Sequence, residues 1–228
     1  MISVQNLSKS YQTPGETIQV LTDLNLSLDP GDTASIVGPS GCGKSTLLNL
    51  LGALDRPSSG SIIIDGQDIA SFTDPQASAF RNHSLGFIFQ QHHLLPQLTV
   101  LENVLIPRLA GDWSEPASTT EQRARQLLET VGLSHRLNHL PWQLSGGEKL
   151  RTAVARALIN QPKLILADEP TGSLDPTSTE TIADLLLTLN QTQNVTLIVV
   201  THNPDLARRM AKPFELKSGK LQSLITDH

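Results

Sequence analysis

The sequence holds one cysteine, Cys42, one tyrosine, Tyr11, and aromatic residues at only 4% of its 228 positions. A single cysteine excludes an internal disulfide and fits a reducing compartment. Apolar runs are short: none approaches the roughly 18 residues that span a bilayer, and Met1 to Ser10 lacks the basic start and apolar centre of a signal peptide. By itself the chain reads as a soluble protein. Positive charge is also scarce, 17 Lys and Arg against 22 Asp and Glu, for a net charge of -5 without runs of like charge. That balance gives no electrostatic footprint for DNA or RNA, so nucleic acid is not an expected partner. The histidines, the His92-His93 pair included, show no metal-ligand spacing with cysteines or carboxylates and read as surface or partner-facing. The length suffices for one large domain, or a compact core plus a subdomain, that needs no disulfide or metal staple.

What the chain does have is Gly38-Pro39-Ser40-Gly41-Cys42-Gly43-Lys44-Ser45-Thr46, which fits the phosphate-loop pattern G-x-x-x-x-G-K-[ST] at every constrained position. A triphosphate needs many donors close to its oxygens, and glycines let successive backbone N–H groups turn inward where a Cβ would obstruct them. Lys44 adds a mobile cation and Ser45 a hydroxyl for Mg²⁺. The helix expected to start near Lys44 presents free amides and a positive dipole end to phosphate. Thr33 to Val37 reads as the buried strand before the loop, and Leu47, Leu48, Leu50 and Leu51 as the buried side of the helix after it. Cys42, inside the loop, is either a reactive thiol at a helix start or, the favoured reading, a small residue at a variable position. Tyr11, just before the turn-like Thr13-Pro14-Gly15, is either core packing or an aromatic that stacks on a base.

Along the rest of the chain, Ile2 to Leu7 and Leu24 to Leu28 alternate as strands, and Ser61 to Gly66 reads as strand then turn. Asp74 is the expected N-cap of a helix from Pro75 to about Asn82. Leu85 to Phe89 is a strand candidate ending at Gln90. The capping box Ser118-Thr119-Thr120-Glu121 opens a helix with Ala124, Leu127, Leu128 and Val131 on one side, and Leu150, Ala153, Val154, Ala157 and Leu158 repeat that spacing in a helix from Glu148 to Asn160. Lys163 to Ala167 and Val195 to Val200 are nearly all apolar, as strands buried on both faces of a parallel sheet must be, with a helix carrying Ile182, Leu185, Leu186 and Leu189 between them.

The motif order is Gln90 at a strand end, Leu144-Ser145-Gly146-Gly147-Glu148, Leu164 to Glu169, and His202 after the last apolar strand. In this order the chain resembles the ATP-binding cassette family of ATPases over essentially its whole length, and the LSGGE signature makes the likeness specific. The resemblance implies an α/β fold: a P-loop NTPase core with a mostly parallel sheet, an antiparallel β subdomain and an inserted α-helical subdomain. Residues of about 1–90 and 156–228 form the core and β subdomain and about 91–155 the helical one.

At the end of its strand Asp168 can hold Mg²⁺ beside Ser45, and Glu169 can polarise the attacking water, which Asp168 cannot do while engaged with the metal. Gln90 can sense both. His202 is similar to the family's switch histidine, which contacts the γ-phosphate. Ser145, Gly146 and Gly147 offer a second helix start for an anion. By resemblance they face the ATP of another copy, so that two ATP join a head-to-tail homodimer, with Ser173-Leu174-Asp175 as the D-loop across that interface. Lys149-Leu150 departs from the usual signature helix, and Asn203 from the aspartate common after the switch histidine.

Gln90 to Pro96, Thr99 to Val104 and Leu137 to Pro141 look like the lipoprotein-release and macrolide-export branch. This implies a peripheral ATPase at the cytoplasmic face of the inner membrane, working with integral membrane subunits. Gln91 to Leu98 is then expected to line a surface groove between the core and the helical subdomain that receives a short membrane-protein helix, with Leu94 and Leu95 as apolar contacts; the alternative is that these leucines anchor the loop into its own subdomain. The ATPase of an uptake transporter shares every catalytic motif and is the alternative. A soluble cassette acting on DNA or ribosomes is disfavoured by the acidic charge and by the lack of a second cassette or coiled-coil insertion.

Overall fold

The computed structural model describes residues 1–111, 115–172 and 174–224. The chain runs β1 (Ile2–Thr13), β2 (Glu16–Leu28), β3 (Thr33–Val37), α1 (Lys44–Leu51), β4 (Ser59–Ile64), β5 (Gln67–Asp68), α2 (Asp74–Ser84) and β6 (Leu85–Ile88). It continues through α3 (Val100–Leu105), α4 (Ala117–Thr130), α5 (Gly146–Leu158), β7 (Leu164–Asp168), α6 (Pro176–Gln193), β8 (Thr196–Val200), α7 (Pro204–Arg208), β9 (Lys212–Lys217) and β10 (Lys220–Ser223). Strands β2-β1-β4-β5 form an antiparallel sheet, and β10-β9-β3-β8-β7-β6 a six-stranded one in which only the β9–β10 pair is antiparallel.

The six-stranded sheet divides two apolar cores, which is why its central strands carry no polar alternation. From β7 and β8, Ile165, Ala167, Leu197 and Val199 face the core shared with α3, α4, α5 and α6. Their neighbours Leu164, Leu166, Ile198 and Val200 face the core shared with α1 and the antiparallel sheet, where Leu47, Leu51, Leu7 and Ile62 are buried. The phosphate loop thus sits on a strand and a helix that are both anchored in packed interior.

Several element starts differ from the sequence expectation. The two strands expected at Ile2 to Leu7 and Leu24 to Leu28 are parts of one long β1–β2 hairpin that extends to Thr13 and Glu16, with Gly15 at a φ of 114° in its turn. Thr73, not Asp74, precedes α2: the Gln76 side chain accepts from the Thr73 amide at 2.8 Å, which leaves Asp74 in the first turn. Helix α4 starts at Ala117 behind extended Pro116, so Ser118 to Glu121 lies within its first turns, where Thr120 donates to Glu115 at 3.2 Å. Helix α5 begins at Gly146 and ends at Leu158. It packs on α3 and α4 and also on β6 and α6, and a Cβ on Gly86 would stand 2.6 Å from the Ala157 carbonyl. Helix α5 spans residue 155, near which the helical subdomain is expected to end.

Candidate nucleotide-hydrolysis site

The loop between β3 and α1 is held by contacts that only glycine permits at two places. A Cβ on Gly38 would lie 2.3 Å from the Leu216 carbonyl on β9 and 2.9 Å from Cys42 Sγ. Gly43, the N-cap of α1, has φ 105°, and a Cβ there would lie 2.9 Å from Val20 Cγ1. Lys44 Nζ donates to the carbonyls of Gly38 at 2.8 Å and Pro39 at 3.0 Å, which lays its ammonium along the loop. The cation is so stationed beside the amides of the loop, where phosphate oxygens are best met.

A cleft of about 530 Å³ opens beside the loop, lined by Ser40, Gly41, Gly43, Lys44, Ser45 and Thr46 and, from four other elements or turns, by Val20, Gln90, Asp168, Glu169 and His202. Asp168 ends β7 and accepts a hydrogen bond from the Ser45 side chain. Burial raises the Asp168 carboxyl above its ordinary value, against the Ser45 bond; the charge of Glu169 adds to the rise and Lys44 opposes it. A carboxylate in this state gains from a cation.

Glu169 follows in the left-handed region, φ 45°, a conformation a glutamate rarely adopts. That turn is what lets two consecutive carboxylates serve one cleft, since successive residues of an extended strand point to opposite faces. Its amide donates to the Val200 carbonyl at 2.9 Å, and its Oε2 accepts from the His202 amide at 3.1 Å and stands 2.8 Å from His202 Nδ1. Gln90, beyond the end of β6, brings its amide nitrogen against the Glu169–Gly172 turn, where a Cβ on Gly172 would lie 3.3 Å from it.

The signature stands apart from this cleft. Ser145 caps α5, accepting from the Glu148 amide at 3.2 Å, while Glu148 accepts from the Ser145 amide at 2.8 Å and from Arg136 Nε at 2.8 Å. Ser145 and Gly146 are exposed, and none of Ser145, Gly146 and Gly147 lines the cleft of their own chain. A Cβ on Gly146 would touch Leu174 at 3.4 Å, so two expected interface motifs adjoin; Ser173 lies outside the described residues.

The family model described as ABC transporter matches residues 21–172, a span that begins one residue after Val20 and ends at the turn after Glu169. The chain belongs to the ABC transporter family. It is an ATP-binding and ATP-hydrolysing cassette of that family, and its curated relatives match it over nearly its full length. It is 55% identical over 221 residues to the lipoprotein-releasing system ATP-binding protein LolD 1 of Rhodopirellula baltica, covering 97% of this chain and 96% of that one. It is 47% identical over 224 residues to LolD of Pseudomonas fluorescens, covering 98% of each. Among solved structures, the dimeric structure of MJ0796, a bacterial ABC transporter cassette, superposes with a TM-score of 0.90 at 40% identity over 100% of both chains. A post-hydrolysis dimer of MJ0796 bound to ADP and Pi gives 0.90 at 39% identity, again over 100% of both.

In this ABC ATPase the remaining expected residues fall as follows. Gly38, Pro39 and Cys42 shape the loop without lining the cleft, and the Cys42 thiol packs against the apolar core beside α1. Tyr11 is 39% exposed and outside the cleft lining, with its hydroxyl donating to Asp55 at 2.8 Å. Val20 lines the cleft but carries no polar chemistry that a motif search would notice. His92 is not a surface residue as expected: it is buried, and Arg156 clamps the carbonyls of His92 and His93, both at 2.6 Å. The groove beside β6 also differs from expectation. It measures about 400 Å³ and is lined by residues of α2, β6, the 106–110 turn and α5, so that within 91–98 only His93 reaches it; Leu94 and Leu95 do not.

Proposed function

We propose that this ABC ATPase is the energy-supplying subunit of a lipoprotein-releasing transporter, working as a homodimer around two ATP at the cytoplasmic face of the inner membrane. The Glu169–His202 pair facing the phosphate-loop cleft, in a chain whose relatives named for lipoprotein release match over nearly its full length, carries this reading. Lys44 and the loop amides bind the β- and γ-phosphates. Mg²⁺ fits a donor set of one half-buried carboxylate, Asp168, with the Ser45 hydroxyl and Gln90 beside it, because this ion prefers few protein ligands together with water and substrate phosphates. When bound, it neutralises charge on the phosphate oxygens.

Glu169, held at one oxygen by His202, orients a water against the γ-phosphorus and takes its proton as the new P–O bond forms and the bond to the β-phosphate oxygen breaks, leaving ADP and phosphate. His202 steadies the carboxylate and the transferring group. Ser145, Gly146 and Gly147, exposed and away from their own cleft, supply donors to the ATP of the other copy, and Leu174 beside Gly146 joins that surface. Tyr11 stacks on the base.

Membrane subunits complete the assembly. Among the described residues no helix is long and apolar enough to cross a membrane. The groove beside β6, with Phe87 and Phe89 stacked at 5.2 Å and His93 edge-on to Phe89 at 5.0 Å, offers an aromatic floor for a short partner helix. Co-expression with the membrane subunits and purification in detergent tests the reading: the complex, in proteoliposomes loaded with a lipoprotein, is expected to release it only with ATP. A complex that hydrolyses ATP without releasing lipoprotein would overturn the substrate assignment.

A further inference from the structure

Tyr11 is the only tyrosine in the chain, and its ring is fastened in a way its exposure alone would not suggest. Lys9, two residues earlier on β1, places Nζ 4.7 Å from the ring centroid and covers one face. Asp55 then gathers the group: Oδ2 accepts from the Tyr11 hydroxyl at 2.8 Å, and Oδ1 from Lys9 Nζ at 2.7 Å and the Arg56 amide at 2.7 Å. Lys9 is 8% exposed, so its ammonium depends on this carboxylate and on the Arg56 carbonyl at 2.7 Å. Burial raises the Asp55 carboxyl, but the bonds from Lys9, Tyr11 and Arg56 outweigh it and hold the group below its ordinary range, ionised at neutral pH.

Asp55 lies just beyond α1 and is tied to it by its amide, which donates to the Asn49 carbonyl at 3.3 Å. The Thr46 side chain, in the first turn of the same helix, also hydrogen-bonds to the Tyr11 hydroxyl. A ring on the β1–β2 hairpin is thereby registered to the helix that begins with Lys44, Ser45 and Thr46. From this we propose that Asp55 is a positioning residue for the nucleotide base: it fixes the plane of Tyr11 through the phenol hydroxyl and leaves the face opposite Lys9 for stacking. The proposal rests on the reading of Tyr11 as the base-stacking residue. Fixing the ring beforehand lowers the ordering cost of binding, and only for a ligand that has a base.

The test is direct binding of ATP and of tripolyphosphate, which lacks a base, to the full chain and to Tyr11→Ala, Tyr11→Phe and Asp55→Ala. Because Asp55→Ala strands the buried Lys9, Tyr11→Phe is the cleaner variant for the ring: it keeps ring and ion pair and removes the hydroxyl's bonds to Asp55 and Thr46. Both are expected to weaken ATP about fivefold, the scale of one ordinary net hydrogen bond, and to leave tripolyphosphate unchanged. Loss of ATP affinity in Tyr11→Ala but not in Tyr11→Phe or Asp55→Ala would overturn the role of Asp55 alone. Equal weakening of both ligands by Asp55→Ala, with Tyr11→Phe silent, would reduce it to a structural residue and overturn it too. No effect of Tyr11→Ala on ATP would overturn the stacking itself.

Discussion

Glu169 and His202 are joined twice: Oε2 accepts the His202 amide at 3.1 Å and faces Nδ1 at 2.8 Å. The ring contact requires a proton on Nδ1. In His202→Ala the amide bond survives and the ring contact does not. Turnover is expected to fall about 100-fold with ATP affinity retained, the scale of losing one positioned proton-handling group. Single-turnover hydrolysis measures it, and a loss smaller than about threefold would remove His202 from the chemistry.

Lys44→Ala is expected to fail earlier, at binding. The side chain is both the cation for phosphate and the brace on the Gly38 and Pro39 carbonyls, so its removal weakens the site twice. Equilibrium titration with ATP should show the loss; an affinity equal to that of the unmodified protein would contradict it.

Leu150 is fully buried among α3, α4 and α5, so the departure from the usual signature helix is a packing choice. Leu150→Gln buries an amide without a partner, which costs about 1–3 kcal/mol and should lower the melting temperature by a few degrees in a chain of this size. Hydrolysis per folded molecule should change little. A rise of about tenfold, or 1.4 kcal/mol of barrier, would instead make the leucine a brake on catalysis.

Much of this was legible because the chemistry is local. The phosphate loop, the apolar runs of β7 and β8 and the Leu150–Leu158 face are each written in residues close in sequence, and the structure gathers Lys44, Ser45, Gln90, Asp168, Glu169 and His202 around one cleft. Contacts between distant segments were not legible. The groove beside β6 takes residues from α2, the 106–110 turn and α5, and no spacing within 91–98 announces them. His92 is buried because Arg156, far along the chain, draws its loop inward. Asp55 carries no motif; only the fold brings it to Tyr11 and Lys9.

Acid should loosen the start of α5. The bond from the Ser145 amide, against burial and with help from Arg136, lowers the Glu148 carboxyl from 4.5 to about 2. A depressed carboxylate stabilises the fold fully above its unfolded value, so the cap of α5 keeps its contribution above pH 4.5 and loses it as pH falls toward about 2. Denaturation curves over that window should show a smaller acid loss in Glu148→Gln than in the unmodified protein. The same acid dependence in both would assign the loss to other carboxylates.

The most direct test of ATP-driven pairing and its release is size-exclusion chromatography of Glu169→Gln with and without Mg-ATP. The amide keeps the shape of the carboxylate and loses the charge that orients water and accepts its proton. With Mg-ATP the variant is expected to elute as a stable dimer with hydrolysis nearly abolished, and without nucleotide as a monomer. A variant that hydrolyses ATP at the normal rate, or that binds Mg-ATP and stays monomeric, would contradict the composite-site mechanism.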